Sequence, residues 1–203
     1  MSTYVELQNR INLDYLNRGT TLVSETKRAI QASIRQHERK RWWFNETSTA
    51  IVTVASQTYA TLPSNFLVLD LLQITVSSMD YKLVQKDLGW IRAANASRVT
   101  GEPTHFAYYN DRIELFPIPN SAYSLPVYYI KSLTALSADS DTSAWTEGVT
   151  EDLIVYGATK NMMATVLHDN DGAAVYAGLE RQALHDLRSA NEQRLANKLK
   201  SNY

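Results

Sequence analysis

Cysteine is missing from all 203 residues, which excludes disulfide bonds and any thiolate metal site and suits assembly in a reducing cytoplasm. Long apolar runs are missing too. No stretch approaches the roughly 20 apolar residues of a spanning helix, and the N-terminal MSTYVELQNRINLDYL has no apolar signal-peptide core. Neither membrane insertion nor secretion by that route is expected. Nor is there an excess of positive charge: 20 Lys and Arg stand against 21 Asp and Glu, a net charge of −1. That balance argues against a dedicated nucleic-acid binder with a large phosphate footprint.

Catalytic signatures are lacking as well. The chain has no HExxH, GxSxG, P-loop or GxGxxG. His37, His105, His168 and His185 fall in four different predicted elements and read as ordinary surface or core histidines. Asp169, Asp171 and Gly172 suggest a calcium loop. With Gly172 in its sixth place, however, Leu167 and Gly178 occupy places that require carboxylates, so a turn is expected. Glu151 and Asp152 are adjacent in a predicted first helical turn, where the helix dipole already accounts for them. Glu102 beside Pro103 has no neighbour that marks it as a general acid. We expect no enzyme, with no catalytic, cofactor-binding or metal residue and no cofactor.

What is present is ordinary in amount and uneven in placement. Hydrophobic residues make up 44% and charged residues 20%, enough for one sizeable domain or a helical domain with a small β subdomain. Lys27, Arg28, Arg35, Arg39, Lys40 and Arg41 cluster against Glu38 alone. Asp139, Asp141, Glu147, Glu151 and Asp152 form an acidic stretch without Lys or Arg, and Arg194, Lys198 and Lys200 make the C-terminus basic. An acidic belt with basic ends permits self-association; solvated helix faces explain the same pattern.

Residues 101–136, GEPTHFAYYNDRIELFPIPNSAYSLPVYYIKSLTAL, organise the middle of the chain. Phe106 and Tyr108, then Ile113 and Leu115, alternate at the period of two that marks half-buried strands. Asn110-Asp111 suits a two-residue hairpin turn. Pro117 and Pro119 place the end of the second strand, or a sheet edge, at FPIP. A third strand is expected over 127–131. Upstream, 50–55, 58–61, 71–76 and 81–84 read as strands, Ser77-Ser78-Met79-Asp80 as a hairpin loop, and 62–66 as a turn. Asp87 caps a short helix over 88–96.

Helices flank this region. Val5, Leu7, Ile11, Tyr15 and Leu16 define a first amphipathic helix ending near Gly19. Thr20 or Thr21 caps a second, whose stripe is Leu22, Thr26, Ala29, Ile30, Ser33, Ile34 and His37. Trp42, Trp43 and Phe44 at its exit read as a cap over the core, with a stacking platform as the alternative. Residues 137–146 form the return loop. A third long helix starts at Thr150 and is apolar all round, buried by its own fold or by neighbouring subunits. The last helix runs over 173–197, with Tyr176, Ala177, Leu184, Leu187 and Leu195 on one side, and residues 201–203 read as a flexible end.

The expected fold is therefore α+β: a bundle of about four helices with an inserted small antiparallel β module, sandwich or barrel-like. The expected divisions are N-terminal helices over 1–46, the module over 47–136, and C-terminal helices over 137–203 that pack on the N-terminal ones.

The order helix, aromatic exit, β module and two C-terminal helices resembles the head-to-tail adaptor (connector) proteins of tailed bacteriophages. The segments that carry it are AIQASIRQHERKRWWFNE (29–46), TLPSNFLVLDLLQI (61–74), the whole of 101–136, and WTEGVTEDLIVYGATKNMMATVLHD (145–169). The resemblance implies a virion protein at the head-tail junction. It would form a ring of about twelve identical subunits under the portal protein. Such a ring extends the channel for double-stranded DNA, which passes without sequence-specific binding, and gives a downstream tail or stopper protein its platform. Asn191, Arg194, Lys198, Lys200 and Tyr203 would dock the portal; a frayed basic helix end is the plainer reading of them. Ile154, Tyr156, Met162, Met163 and Val166 would pack between subunits. Two other functions fit the same chain. One is a stopper or tail-completion neck protein. The other is a glycan-binding or cell-wall-degrading virion protein that uses Tyr108, Tyr109, Tyr123, Tyr128 and Tyr129.

Overall fold

In a computed structural model, the backbone of residues 1–200 and the side chains of residues 1–194 are described. The chain is α+β, as its sequence pattern predicts. It divides into two compact units, one formed by Met1–Phe44 with Leu133–Tyr203 and the other by Asn45–Ser132.

The first unit is helical. Helix α1 (Tyr4–Asn9) opens with a capping box: the Thr3 hydroxyl accepts from the Glu6 amide, and the Glu6 carboxylate accepts from the Thr3 amide at 2.7 Å. It passes into a π-helical stretch, Arg10–Tyr15. The expected single first helix is thus two kinds of helix in series, and Leu7, Ile11 and Leu16 still point into the core. Helix α2 (Val23–His37) buries Thr26, Ala29, Ile30, Ser33, Ile34 and His37 on the predicted stripe. Its threonine cap is not formed. Leu22 occupies the cap position, and the Thr21 hydroxyl donates instead to the Arg18 carbonyl, closing a turn.

Trp42 is buried in the same core, where its indole N–H donates to the carbonyl of His37, the last residue of α2, at 3.0 Å. Phe44 stacks on Trp42 and meets Trp145 edge-on at 5.0 Å. The aromatic exit caps the helical core, which favours that reading over a stacking platform.

The return segment zips onto α1. The Tyr4 and Val5 amides donate to the carbonyls of Asp141 and Asp139, and the Ser2 amide donates to that of Thr146. After a 3-10 turn (Ala144–Thr146), helix α4 (Gly148–Met162) runs through the centre of the unit and continues as a π-helical stretch, Met163–Leu167. His168 takes a left-handed conformation, and the Asp169 carboxylate accepts from the Gly172 amide at 2.9 Å. The expected turn is therefore there, with Asp169 serving the start of α5 (Asn170–Lys200).

The second unit is a β sandwich with one short helix. Its strands are β1 (Glu46–Val52), β2 (Tyr59–Thr61), β3 (Phe66–Val76), β4 (Met79–Lys82), β5 (Val84–Gln85), β6 (Thr100–Gly101), β7 (His105–Tyr109), β8 (Arg112–Phe116), β9 (Ile118–Pro119) and β10 (Ser124–Lys131). One sheet has the order β1-β10-β3-β4 and the other β2-β8-β7-β5, with β6-β9 as a separate pair. Leu72, Ile74, Leu125 and Val127 of the first sheet share one core with Phe106, Ile113 and Leu115 of the second. The Asn110-Asp111 turn falls where expected, with positive φ at Asn110, whereas the loop expected over 77–80 shrinks to Ser77-Ser78, both with positive φ, because Met79 and Asp80 pair with Val76 and Thr75. β8 ends before Pro117, and Pro119 lies in the short β9. The sheets are not purely antiparallel, because β5 runs parallel to β7 and β6 to β9. Helix α3 (Leu88–Asn95) is capped by Asp87, whose carboxylate accepts from the Gly89 amide at 2.7 Å.

Candidate functional site

The C-terminal half of α5 is anchored beside the aromatic exit. Asn191 accepts from the Trp43 amide at 3.0 Å and donates to the Arg41 carbonyl at 3.4 Å. The Arg194 guanidinium lies over the Trp43 ring at 4.4 Å. Two of the sequence-predicted docking residues, Asn191 and Arg194, thus share one locus on the helical unit, and Arg194 remains exposed. The side chains of Lys198 and Lys200, and Tyr203 altogether, lie outside the described residues.

The candidate interface residues on α4 separate into two groups. Ile154 is 0% exposed and Met162 1%, both inside the chain's own core. Tyr156, Met163 and Val166 are half-buried and pack against that core from its margin. The apolar surround of α4 is met largely within the chain, by α2 and α5.

The acidic stretch is mostly occupied within the same unit. Arg10 pairs with Glu151 at 2.9 Å and with Asp152 at 2.7 Å, and donates to the Tyr15 hydroxyl at 3.1 Å. Asp139 pairs with Lys27 at 2.9 Å, and its carboxyl is held below the usual range by hydrogen bonds from Lys27 and Gln8. Asp141 accepts from the Ser137 and Ala138 amides, which lower its pKa in the same way. Of the five acids only Glu147 is left without an internal role among the described contacts. A belt facing outward to neighbours is therefore not what this arrangement offers.

Sequence reasoning missed a buried charge cluster that joins three helices. Glu180 of α5 is 7% exposed; one carboxylate oxygen accepts from Lys160 of α4 at 2.6 Å and the other from His37 of α2 at 3.4 Å. Burial alone would raise the Glu180 pKa, but the hydrogen bonds from His37 and Lys160 outweigh it and leave the value lowered. Gly157 lies against this cluster, where a Cβ would press on Ser33 Oγ and stand 3.1 Å from Glu180 Oε1. The one available signal was His37 itself, a polar residue on an otherwise small and apolar stripe.

On the β unit the tyrosines do not form one surface. Tyr129 is buried and donates to Asn65 at 2.9 Å, whereas Tyr108, Tyr109 and Tyr128 are exposed. Arg92 lies over Tyr109 and Arg112 over Tyr59, at 5.1 and 4.4 Å. An open groove of about 700 Å³ runs beside β3, lined by 66–72, 82–85, Phe106 and Tyr108. Among the described residues, no group of three or more His, Asp or Glu is placed to hold a metal ion, and no helix is long and apolar enough to cross a membrane.

The chain is thus a two-unit α+β protein with no metal-holding cluster among its described residues. Compared with known families, the chain matches the SU10 adaptor protein over residues 2–200. It belongs to that family, and is a phage adaptor protein. No curated protein matches the chain.

Proposed function

We propose that the protein is the head-to-tail adaptor of a tailed phage. Identical subunits form a ring under the portal, extend the DNA channel and give the tail or a stopper protein its attachment platform. The observation that carries this reading is the family match across nearly the whole chain, residues 2–200. The net charge of −1 suits a lumen through which DNA slides, because strong phosphate neutralisation would hold the duplex. Asn191 and Arg194, with Lys198, Lys200 and Tyr203 beyond them, supply a basic docking end. Tyr156, Met163 and Val166 supply contact area at the margin of the helical core, a role that the buried Ile154 and Met162 serve only from beneath. Function here is recognition by shape and buried surface, with no reaction step.

The test is co-purification. The tagged protein should retain portal rings from a lysate of infected cells, and purified virions should contain it. Retention of a different neck protein with no portal would assign it to the stopper or tail-completion class instead.

A further inference from the structure

In the helical unit, Arg10, Lys27 and Lys160 each pair with an acid of the same unit. The β unit holds a place where charges of both signs converge without pairing. Helix α3 lies on the outer face of the β2-β8-β7-β5 sheet, where Trp90 meets His105 at 5.1 Å and Phe116 edge-on at 5.4 Å. Along β8, Ile113 and Leu115 enter the core between the sheets, so Arg112 and Glu114 face outward. The end of α3 meets β8 there, the Asn95 amide group donating to the Leu115 carbonyl at 3.1 Å. Beside that contact is an open recess of about 480 Å³, lined by Thr58, Arg92, Asn95, Ala96, Arg98 and Glu114.

Arg92 and Arg98 are exposed, and Glu114 is half-buried. Both Arg98 and Glu114 line the recess, yet neither side chain makes an ion pair or hydrogen bond among the described contacts. Arg92 has only the ring of Tyr109. Asn95 Oδ1 is buried and has no hydrogen-bond partner. Arg98 is held at the rim by the turn that ends α3: its φ is 52°, and its amide donates to the Asn95 carbonyl at 3.0 Å. The margin is aromatic and basic. Arg112 lies over Tyr59 at 4.4 Å, Tyr59 pairs across the sheet with Glu114, and Arg112 with Tyr109. Arginine and tyrosine are the residue types that most often dominate binding at interfaces.

A ligand that satisfies this recess must bring both an anion and a donor. Guanidinium groups offer only donors, and in pairs they suit a carboxylate or a phosphate. Glu114 and Asn95 Oδ1 offer only acceptors. A phosphodiester has no donor for them and is repelled by Glu114. A peptide with acidic side chains brings carboxylates for the arginines and backbone N–H groups for the acceptors. We propose that this recess binds an acidic peptide segment of another protein, with Arg92 and Arg98 taking its carboxylate and Glu114 accepting from its backbone. The site lies wholly within the β unit and does not depend on the ring.

The probe is an N-acetylated, C-amidated peptide of three Glu-Ser repeats, added to isotope-labelled protein and followed by amide chemical shifts. Signals away from the recess report that each variant is folded. Saturable shifts are expected at Thr58 and over 95–98, with binding about fivefold weaker for Arg92→Gln and for Arg98→Gln. Glu114→Ala separates the proposal from capture by positive charge alone. Loss of an acceptor should weaken the peptide about threefold, whereas removal of a repelling charge would tighten it. Tightening would overturn the inference. So would an absence of shifts at the recess, or equal binding by a peptide of three Lys-Ser repeats. Tighter binding of inorganic phosphate or duplex DNA at the same residues would overturn it in favour of a phosphate site. Each of these outcomes leaves the adaptor reading standing.

Discussion

Replacing Glu180 by Ala removes the carboxylate that joins α2, α4 and α5. It strands the Lys160 ammonium and the His37 ring N–H, at 2.6 and 3.4 Å from the lost oxygens. Breaking a buried ion pair by deleting one partner costs about 3–5 kcal/mol. The Lys160 side chain is 23% exposed and can turn toward water, whereas His37 is 1% exposed and cannot, so the expected loss lies near ~3 kcal/mol. Glu180→Gln keeps the shape and one acceptor, and should lose about 1–2 kcal/mol. The readout is urea unfolding followed by helical circular dichroism, which reports the helical unit. The pH dependence has a definite sign. The folded pKa of Glu180 is lowered, so its contribution is present above the unfolded carboxyl value of about 4.3 and is lost as pH falls through the folded value. The gap between the natural chain and Glu180→Gln should therefore be widest near neutrality and close on acidification. An Ala variant within about 0.5 kcal/mol of the natural chain, or a Gln gap that widens in acid, would refute the reasoning.

Gly157→Ala should cost about 1–3 kcal/mol through crowding against Ser33 and Glu180, and Ser33→Ala in the same chain should recover part of it in the same melts. Arg10→Met frees Glu151 and Asp152 from a partly exposed pair and should cost about 1–2 kcal/mol at low salt, the difference from the natural chain shrinking as sodium chloride is added. Arg194→Ala removes an exposed cation from Trp43, with an expected stability change under about 1 kcal/mol. If the portal docks on this end of the chain, the same variant should show clearly weaker portal retention in pull-downs.

The sequence was most legible where one physical rule decided the outcome locally. The α2 stripe follows helical spacing because a single face meets the core, and every buried residue of α2 lies on it. The Asn110-Asp111 turn follows from the conformations these residues tolerate, and the Tyr109 and Arg112 that flank it are paired. Long-range pairing left no comparable trace. Asp139 finds Lys27 and Glu151 finds Arg10 across more than 100 residues, so a stretch of acids with no nearby base read as an outward belt. A comparable separation hid the pairing of Glu180 with His37, 143 residues away on another helix. The parallel β5–β7 pairing was illegible for a related reason: strand direction depends on where the chain crosses between sheets, and a strand of two residues carries almost no pattern.

The most direct test of the adaptor assignment is the mass of the protein by light scattering, alone and then mixed with portal rings of the same phage. The account predicts that portal-bound material carries a fixed number of copies, equal to the symmetry of the ring. A mass for the mixture that is the plain sum of two non-interacting species would contradict it.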